Sequence, residues 1–354
     1  MIPLLVYAVF AQTSFQPLNH KPLPPSSNDF WFVALGDNRP AGAGLPPTRT
    51  FRELIEEVSI IDPAFVISSG DLLYGNEETV DQYRQEVKWM KPLLDSMPCA
   101  FFNAPGNHEI NNRPEFMKEY IAAFGPLYGS FEFGGIRFVG VCTEVPAEKP
   151  SIFGDQLTWL QKLATEKKPT VYFEHHPIFP RASNAEKETA GVANAAELHA
   201  LYRDSGAVMV LEGHDHIYDA QMHDGVDYRI AGGAGAPLDG ATKDGGYFHF
   251  LLVHAHDGKL DSTPIPSGTL EVVPISDGVV AVADYAYADL PLNNVRITSK
   301  FEPKSVKADY TSKTGKTKSV DATIVRTTKV GDHFETQVSL LLTRAKATFV
   351  RLGK

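Results

Sequence analysis

The chain has 354 residues, a formal charge of −10, 43% hydrophobic and 21% charged residues. This composition excludes a wholly disordered, collagen-like or multi-spanning membrane protein, and at ~150 residues per domain the length predicts two domains. The acidic balance excludes nucleic-acid binding through a broad basic surface, yet leaves room for an anionic substrate, because a bound cation reverses the local field.

The chain opens on an apolar run, Ile2 to Ala11, followed by polar and Pro-rich sequence to Ser27. The run is too short to span a bilayer as a helix. It reads as a secretory signal with Ala8 or Ala11 near a small-residue cleavage site, although no Lys or Arg precedes it. The expectation is a leader and linker over 1–27, a secreted or periplasmic location and a mature chain without a transmembrane segment. The alternative is an N-terminal strand in a cytoplasmic protein.

From Phe30 to about Leu260, short β-rich runs alternate with helical stretches, the pattern of an α/β architecture. Trp31–Leu35 is a strand ending at Gly36-Asp37, and apolar spacing over Arg49–Ile61 predicts a helix. Ala64–Ser68 then ends at Gly70-Asp71. A second helix, Thr79–Leu94, leads to a strand over Cys99–Asn103 that ends at Gly106-Asn107-His108-Glu109. Phe131–Phe133 and Ile136–Cys142 flank Gly134-Gly135 as a hairpin, and Asp155 reads as the N-cap of a helix bearing Leu157, Leu160 and Leu163. Val171–Glu174 runs into His175-His176-Pro177, and after a helix over Ala193–Tyr202, Val208–Leu211 runs into Gly213-His214-Asp215-His216. Five strands thus end in polar clusters. Ligands gather at the carboxyl ends of strands in open α/β sheets, so these clusters predict one shared site.

Beyond about Gly258 the texture changes to β-branched runs separated by Pro, Gly and Lys-Thr-Ser stretches, with strands predicted over 279–286, 294–299, 323–328 and 334–342. A small all-β domain over 259–354, in sandwich form, follows from this pattern. Lys304–Lys318 reads as a solvated loop or hairpin. The two cysteines, Cys99 and Cys142, lie in apolar runs and read as buried thiols, without a disulfide framework or zinc-ribbon spacing.

Asp37, Asp71, Asn107, His175, His214 and His216 together form a mixed oxygen and nitrogen donor set. It suits Zn²⁺, Fe, Mn²⁺ or Co²⁺ and is too rich in nitrogen for Ca²⁺. The set exceeds the needs of one tetrahedral ion. Two ions ~3.5–4 Å apart repel strongly unless a carboxylate and a hydroxide bridge them, and such a pair can generate hydroxide and hold a phosphoryl group during in-line attack.

In order and interval, Gly36-Asp37-Asn38-Arg39, Gly70-Asp71, Gly106-Asn107-His108-Glu109, His175-His176-Pro177 and Gly213-His214-Asp215-His216 resemble the blocks of the calcineurin-like metallophosphoesterase superfamily. The Gln156–Leu160 helix and the Gly232–Leu238 segment agree. The resemblance spans roughly 30 to 255 and implies a two-sheet α/β/β/α sandwich over 28–258. It also implies two divalent or mixed-valence metal ions and a small-molecule phosphate ester as substrate, hydrolysed as a monoester by metal-bound hydroxide. In this pattern Asp37 and His216 bind the first ion, Asp71 bridges, and Asn107, His175 and His214 complete the second. His108 contacts the phosphate and protonates the leaving oxygen, and His176 faces the substrate.

One position departs from the commonest pattern: Arg39 stands where a histidine usually binds the first ion, and a guanidinium is not an ordinary ligand. Tyr74 either supplies a phenolate, as the matching position does in the purple acid phosphatases this chain also resembles, or is a rim aromatic. Arg39 either clamps a phosphate oxygen or pairs with a carboxylate such as Glu109. Hydrolysis of cyclic nucleotides or other diesters is the alternative activity, with the rim segments 74–80 and 180–192 as the discriminating parts. A non-catalytic phosphate-binding or surface-interaction protein is the reading from another functional class.

Overall fold

The computed structural model describes residues 15–76, 79–110, 113–144, 150–181, 191–284, 288–312, 314–343 and 347–354. The apolar N-terminal run and most of the 180–192 rim therefore lie outside the described residues. In chain order the first region contains β1 (Asp29–Leu35), α1 (Arg49–Ile61), β2 (Phe65–Ser68), α2 (Val80–Ser96), β3 (Ala100–Asn103), α3 (Asn107–Ile110), α4 (Pro114–Phe124), β4 (Gly129–Phe133) and β5 (Ile136–Gly140). It continues with α5 (Gly154–Ala164), β6 (Thr170–Phe173), α6 (Ala195–Ser205), β7 (Ala207–Glu212), β8 (Tyr218–His223), β9 (Val226–Ala231), β10 (His249–His256) and β11 (Lys259–Pro266). One sheet has the order β11-β10-β1-β2-β3, the other β4-β5-β6-β7-β9-β8.

Period-two alternation explains the layers. Phe32, Phe65, Ile67 and Phe102 of the first sheet share one apolar cluster with Phe131, Phe138, Val171, Phe173, Met209 and Leu211 of the second. The intervening residues point outward: Val33, Leu35, Val66 and Phe101 join the Phe51, Leu54 and Val58 stripe of α1, while Tyr172 and Val210 meet Leu160 of α5 and Leu198 of α6. Strands buried on both faces and flanked by helices make the expected α/β/β/α sandwich.

Local signals account for most boundaries. Thr48 caps α1 by accepting the Phe51 N–H, and Thr79 with Gln82 forms a capping box on α2. The Gly134-Gly135 turn joining β4 to β5 has φ of 59° and 79°, the left-handed pair that a tight hairpin requires. The expected Asp155 cap is corrected: Phe153 holds the N-cap position of α5 without a side-chain bond, and Asp155 lies in the first turn, where its charge still complements the helix dipole. Cys99 and Cys142 are buried thiols, and burial pushes the Cys99 thiol up to about 12.

The texture change at 258 does not coincide with the end of the sheet, because β11 pairs along its whole length with β10. Beyond it, β12 (Leu270–Ser276), β13 (Val279–Asp284), β14 (Leu290–Ser299), β15 (Ser305–Thr311), β16 (Thr317–Val320), β17 (Ala322–Val330), β18 (His333–Leu342) and β19 (Thr348–Gly353) form two antiparallel sheets, β12-β13-β19-β15-β16 and β14-β18-β17. The Lys304–Lys318 stretch resolves into the β15–β16 hairpin. Val280, Val350, Val295 and Val338 join the two sheets in a core continuous with that around α1. Among the described residues no helix is long and apolar enough to cross a membrane.

Glu57 of α1 fastens the two regions together. Its buried carboxylate accepts the backbone N–H groups of Gly268 (3.1 Å), Thr269 (2.9 Å) and Leu270 (2.9 Å), where the chain enters the β-sandwich. Replacing Glu57 by Ala strands these donors, and a loss of about 2–3 kcal/mol is expected. Thermal denaturation checks this, the expected result being a midpoint lowered by several degrees.

Candidate metal centre

The parallel strands β1-β2-β3 and β5-β6-β7 bring their carboxyl ends to one edge of the sandwich. Asp37, Asp71, Asn107, His175 and the His214/His216 pair follow β1, β2, β3, β6 and β7. Asp37, Asp71 and His214 have φ of 59°, 56° and 67°. This left-handed backbone costs non-glycine residues of order 1–3 kcal/mol each, and such residues cluster where a site dictates side-chain direction. Each follows a glycine. A Cβ on Gly106 would lie 2.2 Å from Asp71 Oδ1, and one on Gly213 would lie 2.7 Å from Asp37 Oδ2, so these close approaches require glycine.

Four of the expected ligands converge. His175 Nε2 is 2.9 Å from Asn107 Oδ1, 3.3 Å from Asp71 Oδ1 and 3.4 Å from His214 Nδ1, which is itself 3.1 Å from Asn107 Oδ1. A second group adjoins them. His216 Nε2 faces Asp37 Oδ1 at 3.5 Å, and Asp37 Oδ2 accepts the His214 N–H at 3.0 Å. Ligand atoms of Asp37, Asp71 and His175 all lie within 4.8 Å of one another, so the two groups form one hollow. Asp37 Oδ1 is fully buried and accepts no hydrogen bond among the described residues. A buried carboxylate oxygen that accepts no hydrogen bond is costly, and a cation between it and the His216 ring offsets that cost.

The surrounding groups fix tautomers. His175 Nδ1 donates to the Ser69 carbonyl at 2.8 Å and His216 Nδ1 to that of Pro237 at 2.5 Å, leaving both Nε2 atoms toward the hollow. The Gly232–Leu238 segment braces this edge: Ala236 N–H donates to the Asp37 carbonyl at 2.7 Å, and Asp239 accepts the His216 N–H at 3.0 Å. His108 Nδ1 contacts the Tyr74 carbonyl, its backbone N–H donates to Asp71 Oδ1 at 3.2 Å, and its Nε2 lies 3.8 Å from Asp71 Oδ2. His176 Nδ1 is 2.5 Å from Glu144 Oε1, and its ring packs on that of His214 with centroids 3.8 Å apart.

The sequence reading had no organising role for Glu109 or Glu144. Glu109 is buried and accepts the N–H groups of Asp71 (3.0 Å), Leu73 (2.8 Å) and Gly106 (2.6 Å), locking the β2 and β3 loops together. Its place in the third block was the signal, but a carboxylate that reads loop backbone is recognisable only once the loops are adjacent. Glu144 carried no such signal.

Electrostatics reflect the crowding of anions. Burial alone raises the Asp71 carboxyl, but the charges of His175, His108 and Arg39 outweigh it and hold the group well below the usual carboxylate range. Burial lowers His175, yet Asp71 and Asp37 overcome it and bring the imidazole up to about 9. Burial also holds His214 well below its ordinary value, helped by His176 and His175. The hollow thus demands positive charge while keeping His214 a neutral donor, the combination that suits a cation.

Arg39 pairs with a carboxylate, as one of its two sequence readings expects, although the partner differs. Its Nε donates to Asp71 Oδ2 at 3.2 Å and its Nη1 to the Pro40 carbonyl at 3.2 Å, so its carboxylate partner is Asp71, not Glu109. The Tyr74 ring lies 6.0 Å from the Arg39 guanidinium carbon and 5.6 Å from the His108 ring, and it borders a small cavity with Pro40, Leu45, Leu72 and Trp89.

The model of the calcineurin-like phosphoesterase family matches residues 22–218, more than half of the chain. The chain belongs to the calcineurin-like phosphoesterases. Among solved structures, GAP50, the anchor in the inner membrane complex of Plasmodium, is similar over 68% of this chain and 85% of its own, at 10% identity and a TM-score of 0.51. A dimetal phosphatase from Danio rerio is similar over 68% and 99%, at 15% identity and a TM-score of 0.49. The phosphopantetheinyl hydrolase of Mycobacterium tuberculosis is similar over 57% and 89%, at 16% identity and a TM-score of 0.40. Comparison with curated protein sequences returns no match. At these identities the structural likeness establishes the fold alone, and a calcineurin-like phosphoesterase fold hosts more than one role.

A Gly106→Ala substitution places its methyl group against Asp71 and His175. The expected outcome is at least ~10-fold less metal retained after dialysis, by analogy with disturbed metal supports. Elemental analysis, with circular dichroism as a folding control, checks it.

Proposed function

We propose that this calcineurin-like phosphoesterase is a metal-dependent hydrolase of phosphate monoesters. The observation that carries the reading is the convergence of Asn107, His175, His214 and Asp71 beside the buried Asp37 oxygen, which faces His216 but accepts no hydrogen bond among the described residues. Asp71, Asn107, His175 and His214 would hold one divalent or mixed-valence ion. Asp37 and His216 would hold a second, with Asp71 shared between them. When bound, such ions supply a lowered pKa for water and draw charge from phosphoryl oxygens.

The protein's own residues do the rest. His108 keeps its Nδ1–H on the Tyr74 carbonyl and turns Nε2 toward Asp71, so the imidazolium form would hand its Nε2 proton to the departing alcohol oxygen, a form that burial opposes and the Asp71 charge favours. Arg39, held against Asp71, brings a permanent positive charge to the site, and its remaining N–H donors suit a phosphoryl oxygen. His176, steadied by Glu144, lies beside His214 as a further substrate contact. Its nitrogen also lies within 4.8 Å of ligand atoms of His175 and His214, which makes it a candidate donor as well. We assign Tyr74 to the rim, since its ring contacts are with His108, Arg39 and the apolar cavity. The phenolate role of purple acid phosphatases is the competing assignment, and a visible charge-transfer band on the iron-loaded protein would establish it.

The donor set serves diesters equally well, so substrate preference is decided by turnover. Wild-type protein is expected to hydrolyse p-nitrophenyl phosphate faster than its bis-ester, and Asp71→Asn to lose about 10³-fold or more with the fold retained. Undiminished hydrolysis by the variant removes the mechanism, and preference for the bis-ester replaces monoesterase with diesterase activity. For His108→Ala, kcat on an alkyl phosphate is expected to fall by about 10²-fold or more, with a smaller loss on p-nitrophenyl phosphate, whose leaving group needs little protonation. Equal losses on both would assign His108 to loop bracing.

A further inference from the structure

A second set of metal-ligating side chains lies at the far end of the first sheet. β1 and β10 are antiparallel, with Asp29 paired to His256 and Trp31 to His254. His254 and His256 are two residues apart on one strand, so both imidazoles stand on the same face as Asp29 and Trp31. Asp29 marks the amino end of β1, whereas Asp37 follows its carboxyl end, so this cluster is separate from the metal centre.

Both imidazoles turn a nitrogen toward the same carboxylate. His254 Nε2 is 2.7 Å from Asp29 Oδ1, and His256 Nδ1 is 3.2 Å from Asp29 Oδ2. One donor atom from each of the three residues lies within 4.8 Å of the other two. Around them is a supporting layer of the kind that orients metal-bound histidines. His256 Nε2 faces Asp257 Oδ2 at 3.3 Å, a contact that would hold the proton on Nε2 once a cation took Nδ1, and Asn28 Nδ2 donates to Asp257 Oδ1 at 2.7 Å. Trp31 stacks flat on the His254 ring, with centroids 4.0 Å apart and planes 3° from parallel. The ligand side chains are partly exposed, which leaves water to complete the coordination.

We propose that Asp29, His254 and His256 form a second, open site for a borderline transition dication of the Zn²⁺ class, pinning the start of β1 to the end of β10. Two imidazoles and one carboxylate with an open position make the donor set such ions prefer. The site needs no part of the phosphoesterase chemistry and stands or falls independently of it.

The stacked indole supplies the readout. Protein already loaded with Zn²⁺ at its metal centre is titrated with Cu²⁺, a paramagnetic quencher, while tryptophan fluorescence is followed. Saturable quenching is expected in the wild type, lost in Trp31→Phe and in His254→Asn/His256→Asn, with excess Zn²⁺ competing for it. Asp257→Asn is expected to weaken Cu²⁺ binding roughly 10-fold. Circular dichroism and ester hydrolysis, both expected to be unchanged, show that each variant is folded. Quenching that survives either substitution, or no quenching up to millimolar Cu²⁺, overturns the proposal.

Discussion

The Asp71 carboxylate is the point on which the architecture of this protein turns. It is buried and meets His175, Arg39, the His108 backbone and the His108 ring within 3.8 Å. A buried anion is tolerated only where positive charge and hydrogen bonds surround it. Three other blocks of the site are therefore drawn to the same spot: the segment after β1 contributes Arg39, that after β3 contributes His108, and that after β6 contributes His175. Asp37 adds a second carboxylate, one oxygen of which accepts no hydrogen bond among the described residues, and this leaves the balance of charge open to a cation. The scaffold accepts left-handed backbone at Asp37, Asp71 and His214 to hold this arrangement, strain that packing in the strands on both sides must offset.

The layers serve that spot. Phenylalanine-rich inner faces, such as Phe65 stacked on Phe32 and set edge-on to Phe138, lock the two sheets together. With the sheets fixed, loops from different strands meet with little freedom, and Glu109 ties two of them by their backbones. The C-terminal β-sandwich seats against α1, in the layer outside the first sheet, through a continuous apolar core and the Glu57 carboxylate. Its described contacts thus make it a partner of the helix layer.

Much of this was legible in the sequence because five strands of the α/β region end in polar clusters, and the period-two pattern marks which residues point inward. Helix α1 was bounded to the residue by its apolar spacing, and α2 by Thr79. Other elements were hidden for physical reasons. Strand β8 is a half-exposed edge strand whose side chains mix polar and apolar types, and α4, which starts at Pro114, has no strong periodic onset in its sequence. The role of Arg39 was illegible because a guanidinium can serve phosphate or carboxylate equally, and only adjacency to Asp71 decides. Glu109 reaches Asp71 and Leu73, and Glu144 reaches His176, across more than thirty residues of chain, and no local pattern carries such a pairing.

The central claim is that donors from five strand ends share one cation-binding hollow. Anomalous diffraction from crystals grown with Mn²⁺ tests it most directly. The account predicts an anomalous peak within coordinating distance of Asp71, Asn107, His175 and His214; a hollow without such a peak at saturating Mn²⁺, or these side chains turned into separate pockets, would contradict it.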